Sequence, residues 1–507
     1  MTTAFVNAQV TTLDPASPRA AGIICAGGVI ERLLFDEPVG LARDVRVVDC
    51  AGAAIVPGLH DCHMHLTDTG LLAGDHDMRG CADVEAMLRR TQMLCAGRSR
   101  TEPLYAGNYD EANIVQGRPP KRVELDAVSG GIPVVLTRVD GHSCAANSAA
   151  FALLRLEGLD GVERDASGAP TGLLRAAANY AAQNGIIEKL SAASKRMADE
   201  RAAEIALRAG ITTAHHVIVV DEPFEALREH YRRDESLPIR VIPKTCSTDV
   251  GKVKRLGRRV FGGDIYVDGS IGSRTAALTS EYHDSAGSGF LYLRADQLYE
   301  LFDEAAEQGL SLGVHAIGDR AIEQAITAWE AVIAKRGPLD GVRPSIDHFE
   351  IASDDQIGRA ARAGILLSIQ PAFDLLWGGA DGMYERRLGA PVAQMMNRFR
   401  TARRAGCTIC AGSDSPITPL SALLGIRALM DHHIAAERCS MEEALRAYTT
   451  DAAALSFDEG RRGMLAPGYD ADFVLLEQPL DAVEVDAIDR VRVLMTVIAG
   501  EIRFSQM

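Results

Sequence analysis

No uninterrupted apolar run in this 507-residue chain approaches the ~20 residues that a bilayer-spanning helix needs, so no membrane span is expected. The opening residues, Met1-Thr2-Thr3-Ala4-Phe5-Val6-Asn7-Ala8, lack the basic stretch and apolar core of a secretory signal. Basic residues are in short supply: 53 Lys and Arg stand against 69 Asp and Glu. The formal charge of −16 argues against a nucleic-acid partner, because a phosphate backbone would be repelled by most of such a surface. Paired cysteines are missing too. Ten are scattered along the chain, and the one short spacing, Cys407-Thr408-Ile409-Cys410, sits in an apolar run that reads as packing. Dispersed thiols fit a reducing compartment, so a soluble cytoplasmic protein is expected.

What is present is ordinary in bulk, 47% hydrophobic and 24% charged, but too long for one core; a large domain with a smaller one is the default. Residues Ala4 to Val56 read as short strands, punctuated at Gly27-Gly28 and at Pro38 to Gly40. Then comes Ile55-Val56-Pro57-Gly58-Leu59-His60-Asp61-Cys62-His63-Met64-His65. In extended chain, residues two apart point the same way, so His63 and His65 project together, a good start on a divalent-metal site. A helix is expected from Asp83 to Leu94, irregular polar chain from Asn108 to Gly131, and a long helical region from Leu173 to Ala209.

From Gly210 the pattern alternates strand and helix with short joins, which indicates a parallel sheet with helical crossovers and suits a barrel of about eight units. His63, His65, His215, Asp268 (closing a strand read at Ile265 to Ser270), His315, His348 and Asp414 each fall at the carboxyl end of an expected strand. In a parallel barrel those ends share one face. A lone histidine there is usually an innocent hydrogen-bonded residue. Repetition of His or Asp at the ends of apolar runs is harder to explain by packing, since each group would have to be buried and satisfied. Of His215 and His216, the strand end sends one toward the pocket. His230 reads as solvated on a polar helix face, and His432 and His433 as the packing edge of a helix with Leu429 and Ile434.

These residues carry a resemblance. Pro57-Gly58-Leu59-His60-Asp61-Cys62-His63-Met64-His65 resembles the metal-binding signature of the amidohydrolase superfamily. The segments Arg138-Val139-Asp140-Gly141-His142, Asp268-Gly269-Ser270-Ile271-Gly272-Ser273-Arg274, His315-Ala316-Ile317-Gly318-Asp319, Asp347-His348-Phe349-Glu350 and Gly412-Ser413-Asp414-Ser415-Pro416 resemble its amidohydrolase family 3 branch, the YtcJ-like and N-substituted-formamide-deformylase-like proteins. The resemblance implies an α/β fold: a (β/α)8 TIM-like barrel over residues 58–459, with an inserted region at about 80–200, and a small β-sandwich from both termini, 1–57 and 460–507. It implies His63, His65, His315, His348 and Asp414 as metal ligands, Asp414 and His348 as catalytic groups with Asp414 the general base, and His142, Asp268 and Arg274 facing the substrate. Trp377, with Arg386 and Arg387 in the loop after Gln370-Pro371, hints at a flat or anionic substrate, although the arginines read equally well as a solvated face.

One departure stands out. Where many relatives carry a lysine that becomes carboxylated and bridges two metals, this chain has Asp264, and Lys244 is a distant substitute. Asp264 would bridge two metals, or the site holds one, or the activity is altered or lost; the single-metal arrangement is favoured. The cofactor expected is Zn2+, or another divalent metal such as Mn2+ or Fe2+, one or two per chain. The reaction expected is metal-dependent hydrolysis of a carbon–nitrogen bond, amide or formamide, in a small molecule. Deamination of a nitrogen heterocycle or aromatic amine is the alternative, and a non-catalytic binding or assembly relative the reading from another class. A homodimer is the default for an enzyme of this size.

Overall fold

Short runs of Ile, Val, Leu and Ala, too apolar to face water on either side, pair as parallel strands in the computed structural model, which describes residues 2–36 and 45–507. The turn expected at Pro38 to Gly40 lies outside those residues. The strands are β1 (Leu59–Met64), β2 (Ile211–Ile218), β3 (Arg240–Thr245), β4 (Val260–Tyr266), β5 (Ser311–Ala316), β6 (Ser345–His348), β7 (Leu366–Ile369) and β8 (Ile409–Ala411). Their ladders form a three-stranded sheet, β3-β2-β1, and a five-stranded sheet, β4-β5-β6-β7-β8, parallel throughout. Helices fill the crossovers. Asp319–Arg336 buries Ile322, Ala325, Ile326, Trp329 and Val332 at helical spacing. Asp354–Arg362 starts at a capping box in which the Ser353 hydroxyl accepts from the Gln356 backbone N–H and the Gln356 side chain accepts from Ser353 N–H.

Both ends of the chain meet in one six-stranded sheet, where Ala54–Pro57 pairs antiparallel with Phe473–Leu476. A four-stranded sheet built on Thr2–Val6 shares its core, with Phe5 edge-on to Phe473 at 4.8 Å between ring centres. These strands and β1–β8 belong to one compact unit, Met1–Met64, Ala203–Asp414 and Leu420–Met507. The second unit, His65–Ala202 with Ser415–Pro419, holds its own five-stranded sheet, Val162–Arg164, Pro170–Arg175, Ser143–Ala146, Val134–Arg138 and Leu104–Tyr109 in spatial order.

Three expectations are corrected. The polar stretch Asn108 to Gly131 contains a helix, Arg122–Ser129, stabilised where Glu124 accepts from the Lys121 backbone N–H at 2.7 Å. The helical region read from Leu173 opens instead as the strand Pro170–Arg175, which hairpins onto Val162–Arg164 before the helices Ala176–Lys189 and Ala192–Arg208. The strand expected at Ile265 to Ser270 begins at Val260, so Asp264 lies inside β4 and Asp268 in the loop after it.

Gly262 and Gly263 explain that shift. Their φ angles are 82° and 102°, and the β4–β5 register slips between Gly262 and Tyr266, a bulge that re-aims the strand just before Asp264. A Cβ on Gly262 would sit 2.1 Å from the Gly313 carbonyl oxygen. Gly262→Ala should therefore cost well over ~1 kcal/mol in urea unfolding, because strain and a backbone clash act together. Gly27→Ala, at φ 61° with nothing within 4 Å, carries the strain alone. Equal losses in the two variants would show that the β4–β5 contact contributes nothing.

Candidate metal centre

The centre is built at the carboxyl ends of the parallel strands. All six residues of β1 are buried, and the alternation of its side chains carries Asp61 and His63 to the same side. His63 Nδ1–H donates to Asp347 Oδ1 on β6 at 2.7 Å. This fixes the ring and points Nε2 at two further carboxylates, Asp264 Oδ1 at 3.4 Å and Asp414 Oδ1 at 3.6 Å. His348 Nε2 reaches Asp264 Oδ1 at 3.6 Å. One donor atom each from His63, His348 and Asp414 lies within 4.8 Å of the others, all three residues buried.

Backbone strain collects here. His348 and Asp414 adopt φ angles of 74° and 55°, which turn the chain as it leaves β6 and follows β8. Asp61 holds the second turn: its carboxylate accepts from the backbone N–H of His63 at 3.2 Å and of Ser413 at 3.0 Å, while Asp414 N–H donates to the His63 carbonyl at 2.7 Å. Gly412 admits this approach, since a Cβ there would lie 2.5 Å from His63 N. Burial pushes the Asp61 carboxyl up to about 6, against the pull of the Ser413 and His63 donors.

The electrostatics call for a cation. Asp264, Asp347 and Asp414 are all buried, with the buried Lys244 beside Asp347, so the carboxylates outnumber the one lysine and draw positive charge onto the imidazoles. Burial alone would lower the pKa of His63, yet Asp264, Asp347 and Asp414 hold it well above the ordinary imidazole value. Burial opposes a charge on His348 too, and Asp264 and Asp414 again prevail. Both ring nitrogens of His348 are buried without a hydrogen bond. Imidazole nitrogen and carboxylate oxygen converging on a buried, negatively charged point make a donor set that fits a divalent metal of the zinc type.

The amidohydrolase-family model matches the chain over residues 46–504. Bacillus subtilis YtcJ is 28% identical, across 96% of this chain and 95% of its own length. The N-substituted formamide deformylase of Arthrobacter pascens is 26% identical, across 99% of this chain and 98% of its own. The crystal structure of an uncharacterized metal-dependent hydrolase from Pyrococcus furiosus superposes with a TM-score of 0.77 at 27% identity, covering 94% of this chain and 99% of that one. This chain belongs to the amidohydrolase family. An α/β fold of the TIM-barrel kind, a divalent metal and hydrolysis at carbon–nitrogen bonds go with that membership.

The remaining residues singled out in this amidohydrolase fall in different places. His315 ends β5 with its ring 4.4 Å from that of His348 and its Nδ1 3.4 Å from Asp268 Oδ1. His65 follows Met64 directly but is no longer strand: it caps the helix Leu66–Leu71 in the second unit, where its N–H donates to the Ser415 carbonyl at 2.8 Å. Lys244 is not remote as expected, since its Nζ stands 3.3 Å from Asp347 Oδ1. Asp268, expected to face the substrate, is fully buried and accepts backbone N–H bonds from Ala277, Ile317 and Gly318 at 2.8, 3.0 and 2.8 Å. That is a clamp on two loops, and it leaves the carboxylate turned away from solvent.

Arg274, also expected to face the substrate, is held by a carboxylate of its own loop. Its guanidinium forks onto Asp284 at 2.9 and 2.7 Å, Arg387 pairs with the same carboxylate, and Arg386 donates to the Asp381 carbonyl. Of the arginines read as a hint of an anionic substrate, Arg386 is thus engaged within its own loop and Arg387 by a carboxylate of the loop after β4. The hydrogen-bonding Arg274 holds Asp284 down to about 2 against the effect of burial. Trp377 closes the helix Pro371–Trp377 and continues a row of rings, His348 over Phe373 at 6.2 Å and Phe373 to Trp377 at 4.7 Å, which starts at the metal centre. In the second unit, His142 Nδ1 is 3.0 Å from the Tyr180 hydroxyl. His432 and His433 follow the helix Ala422–Met430 rather than lying in it.

His215 and His216 divide as strand alternation requires. His215 is buried among the charges of Lys244, His60, Asp347 and His63, where burial and then Lys244 depress its pKa well below the usual value. His216 faces the helix that follows β2. Asp61 and Asp347 hydrogen-bond to residues of the candidate centre, although the sequence does not single them out individually. Strand alternation could have found Asp61, two residues before His63; nothing in the local sequence marks Asp347.

Proposed function

We propose that this amidohydrolase cleaves a non-peptide carbon–nitrogen bond, an amide or N-substituted formamide, of a small molecule at a single divalent metal, zinc by its donor set. The observation that carries the reading is the buried convergence of donor atoms from His63, His348 and Asp414, with Asp264 3.4 Å from His63 and 3.6 Å from His348. His63, His348 and Asp414 would hold the metal, with Asp264 beside them and His65 and His315 carried over from the family resemblance. When bound, it supplies an acidified water and polarises the scissile carbonyl.

The chain's own groups supply the rest. Asp414 accepts a proton from the attacking water and returns it to the leaving nitrogen, converting an amide anion, which cannot leave, into an amine, which can. Asp347 keeps His63 in the tautomer that offers Nε2. The Phe373–Trp377 row gives the acyl or N-substituent an apolar surface beside His348. We take the three- and five-stranded sheets as arcs of one barrel whose loops carry this site. Ten free cysteines, nine of them buried, favour the cytoplasm as its compartment.

The test compares metal content of wild type, His63→Ala and Asp264→Ala, purified without chelator, by inductively coupled plasma mass spectrometry. Loss of one metal per chain in His63→Ala, with none lost in Asp264→Ala, supports a single-metal centre. Loss of two in His63→Ala with a matching fall in Asp264→Ala makes Asp264 a bridge between two metals. Equal content in wild type and His63→Ala overturns the centre. A screen of N-substituted formamides and amides then reads the product: amine plus carboxylate is expected, and ammonia from a heterocycle would replace this reading with deamination.

A further inference from the structure

The helix α1 (Phe224–Glu235), which follows β2, buries Leu227, His230, Tyr231 and Asp234. These lie at i, i+3, i+4 and i+7, the stripe a helix turns toward its core, and two of the four are polar. His230, expected on a solvated face, is only 7% exposed. Neither of its ring nitrogens makes a hydrogen bond, and Nδ1 stands 3.5 Å from Glu222 Oε2 in the loop before the helix. Desolvating an imidazole with both nitrogens unsatisfied costs free energy that packing alone does not return.

The partners around His230 are of one kind. His216, on β2, is buried with its Nδ1 3.2 Å from each oxygen of Asp234, which is itself fully buried. The His216 and His230 rings are 5.0 Å apart, and one donor atom each from His216, His230 and Asp234 lies within 4.8 Å of the others. Zinc bonds of about 2.0–2.1 Å at tetrahedral corners place neighbouring ligand atoms roughly 3.3–3.4 Å apart. The 3.2 Å between His216 and Asp234 is close to that edge, His230 offers a nitrogen within 4.8 Å of both, and Glu222 Oε2 stands 3.5 Å from His230 Nδ1 as the outer member of the group. Two neutral imidazoles with two carboxylates would also make a divalent ion electrically neutral in a site that is mostly buried.

A comparable cluster elsewhere contains a buried histidine whose two ring nitrogens are both satisfied, although Nε2 of its neighbour His433 is not. At Asp374, His432 and His433, His432 Nε2 bonds the Asn397 carbonyl at 2.9 Å and its Nδ1 accepts from Ile434 N–H at 3.0 Å, so no nitrogen of that buried ring is left over. His230 has no such bonds.

We infer that His216, His230, Asp234 and Glu222 form a second metal site, of the zinc type and separate from the hydrolytic centre, that ties the end of β2 to α1. The test strips full-length protein with chelator, reloads it with Zn2+, removes unbound metal and counts zinc per chain. His230→Ala and Asp234→Asn should each bind one zinc fewer than wild type while keeping the zinc that His63→Ala loses. In the His63→Ala background, added Zn2+ should still raise the melting temperature, and adding His230→Ala should abolish that rise. Glu222→Gln, at a partly exposed position, weakens the site without disturbing the buried stripe, and should lower zinc affinity even if the buried variants fold poorly. Wild-type stoichiometry in His230→Ala, a zinc-induced rise indifferent to His230, or undiminished affinity in Glu222→Gln would each overturn the site. These readouts are independent of activity, so failure of the hydrolase reading leaves them interpretable.

Discussion

Asp414→Asn should lower kcat/KM for whichever amide or formamide the screen identifies by about 10²–10⁴-fold, or ~3–5 kcal/mol of transition-state stabilisation. Asparagine has nearly the same shape and keeps an oxygen where Asp414 Oδ1 faces His63 Nε2 at 3.6 Å, so the pocket should survive. What disappears is the proton acceptor. The loss should fall on kcat with little change in KM, because proton transfer is made in the transition state and not on substrate binding. Metal content separates two roles in one experiment. Activity lost with metal retained identifies Asp414 as the base; activity and metal lost together identify it chiefly as a ligand. Activity within a factor of a few of wild type would remove Asp414 from the reaction and sink the proposed mechanism. The backbone supports a role that depends on position: at φ 55° the residue is held in a strained turn by Asp61, Ser413 and the His63 carbonyl.

Much of this centre was legible because its parts sit at strand ends, where an apolar run stops at a residue it cannot bury cheaply. His63, His348 and Asp414, which the structure brings together, stand at such ends, and the family pattern attaches roles to them. What the sequence hid depends on backbone detours. In an ideal strand Asp347 and His348 point to opposite sides, yet φ 74° at His348 turns the chain so that both reach the centre. Asp264 looked like a residue ahead of its strand because the Gly262-Gly263 bulge hides the strand's true start. Arg274 and Asp268 looked like substrate contacts because their partners, Asp284 and the backbone of Ile317 and Gly318, come from loop closures that no periodicity encodes. His230 reads as solvated because α1 is rich in Arg and Glu overall, while the buried stripe that contains it is only a few residues wide.

Asp347→Asn should produce the largest combined defect, because one carboxylate serves two buried cations. It accepts from His63 Nδ1 at 2.7 Å and lies 3.3 Å from Lys244 Nζ, with both carboxylate and ammonium buried. Burial would raise its pKa, but Lys244 and His63 hold it below the usual carboxylate range. A depressed carboxyl contributes stability above its unfolded pKa and loses it only as pH falls through the folded value, so at neutral pH the full contribution is in place. Neutralising it strands Lys244, and breaking a buried pair from one side costs about 3–5 kcal/mol. His63 exchanges an acceptor-only carboxylate for an amide that can present NH2 as readily as oxygen, so its tautomer is no longer fixed, which should weaken metal binding about 10–100-fold. A second substitution separates the two effects. Lys244→Met added to Asp347→Asn removes the stranded charge, so unfolding stability should largely return while metal affinity stays low. Affinity that returns with stability would mean that Asp347 acts only by neutralising Lys244. Stability that fails to return would mean that packing around Asp347, rather than its charge, holds the strands together.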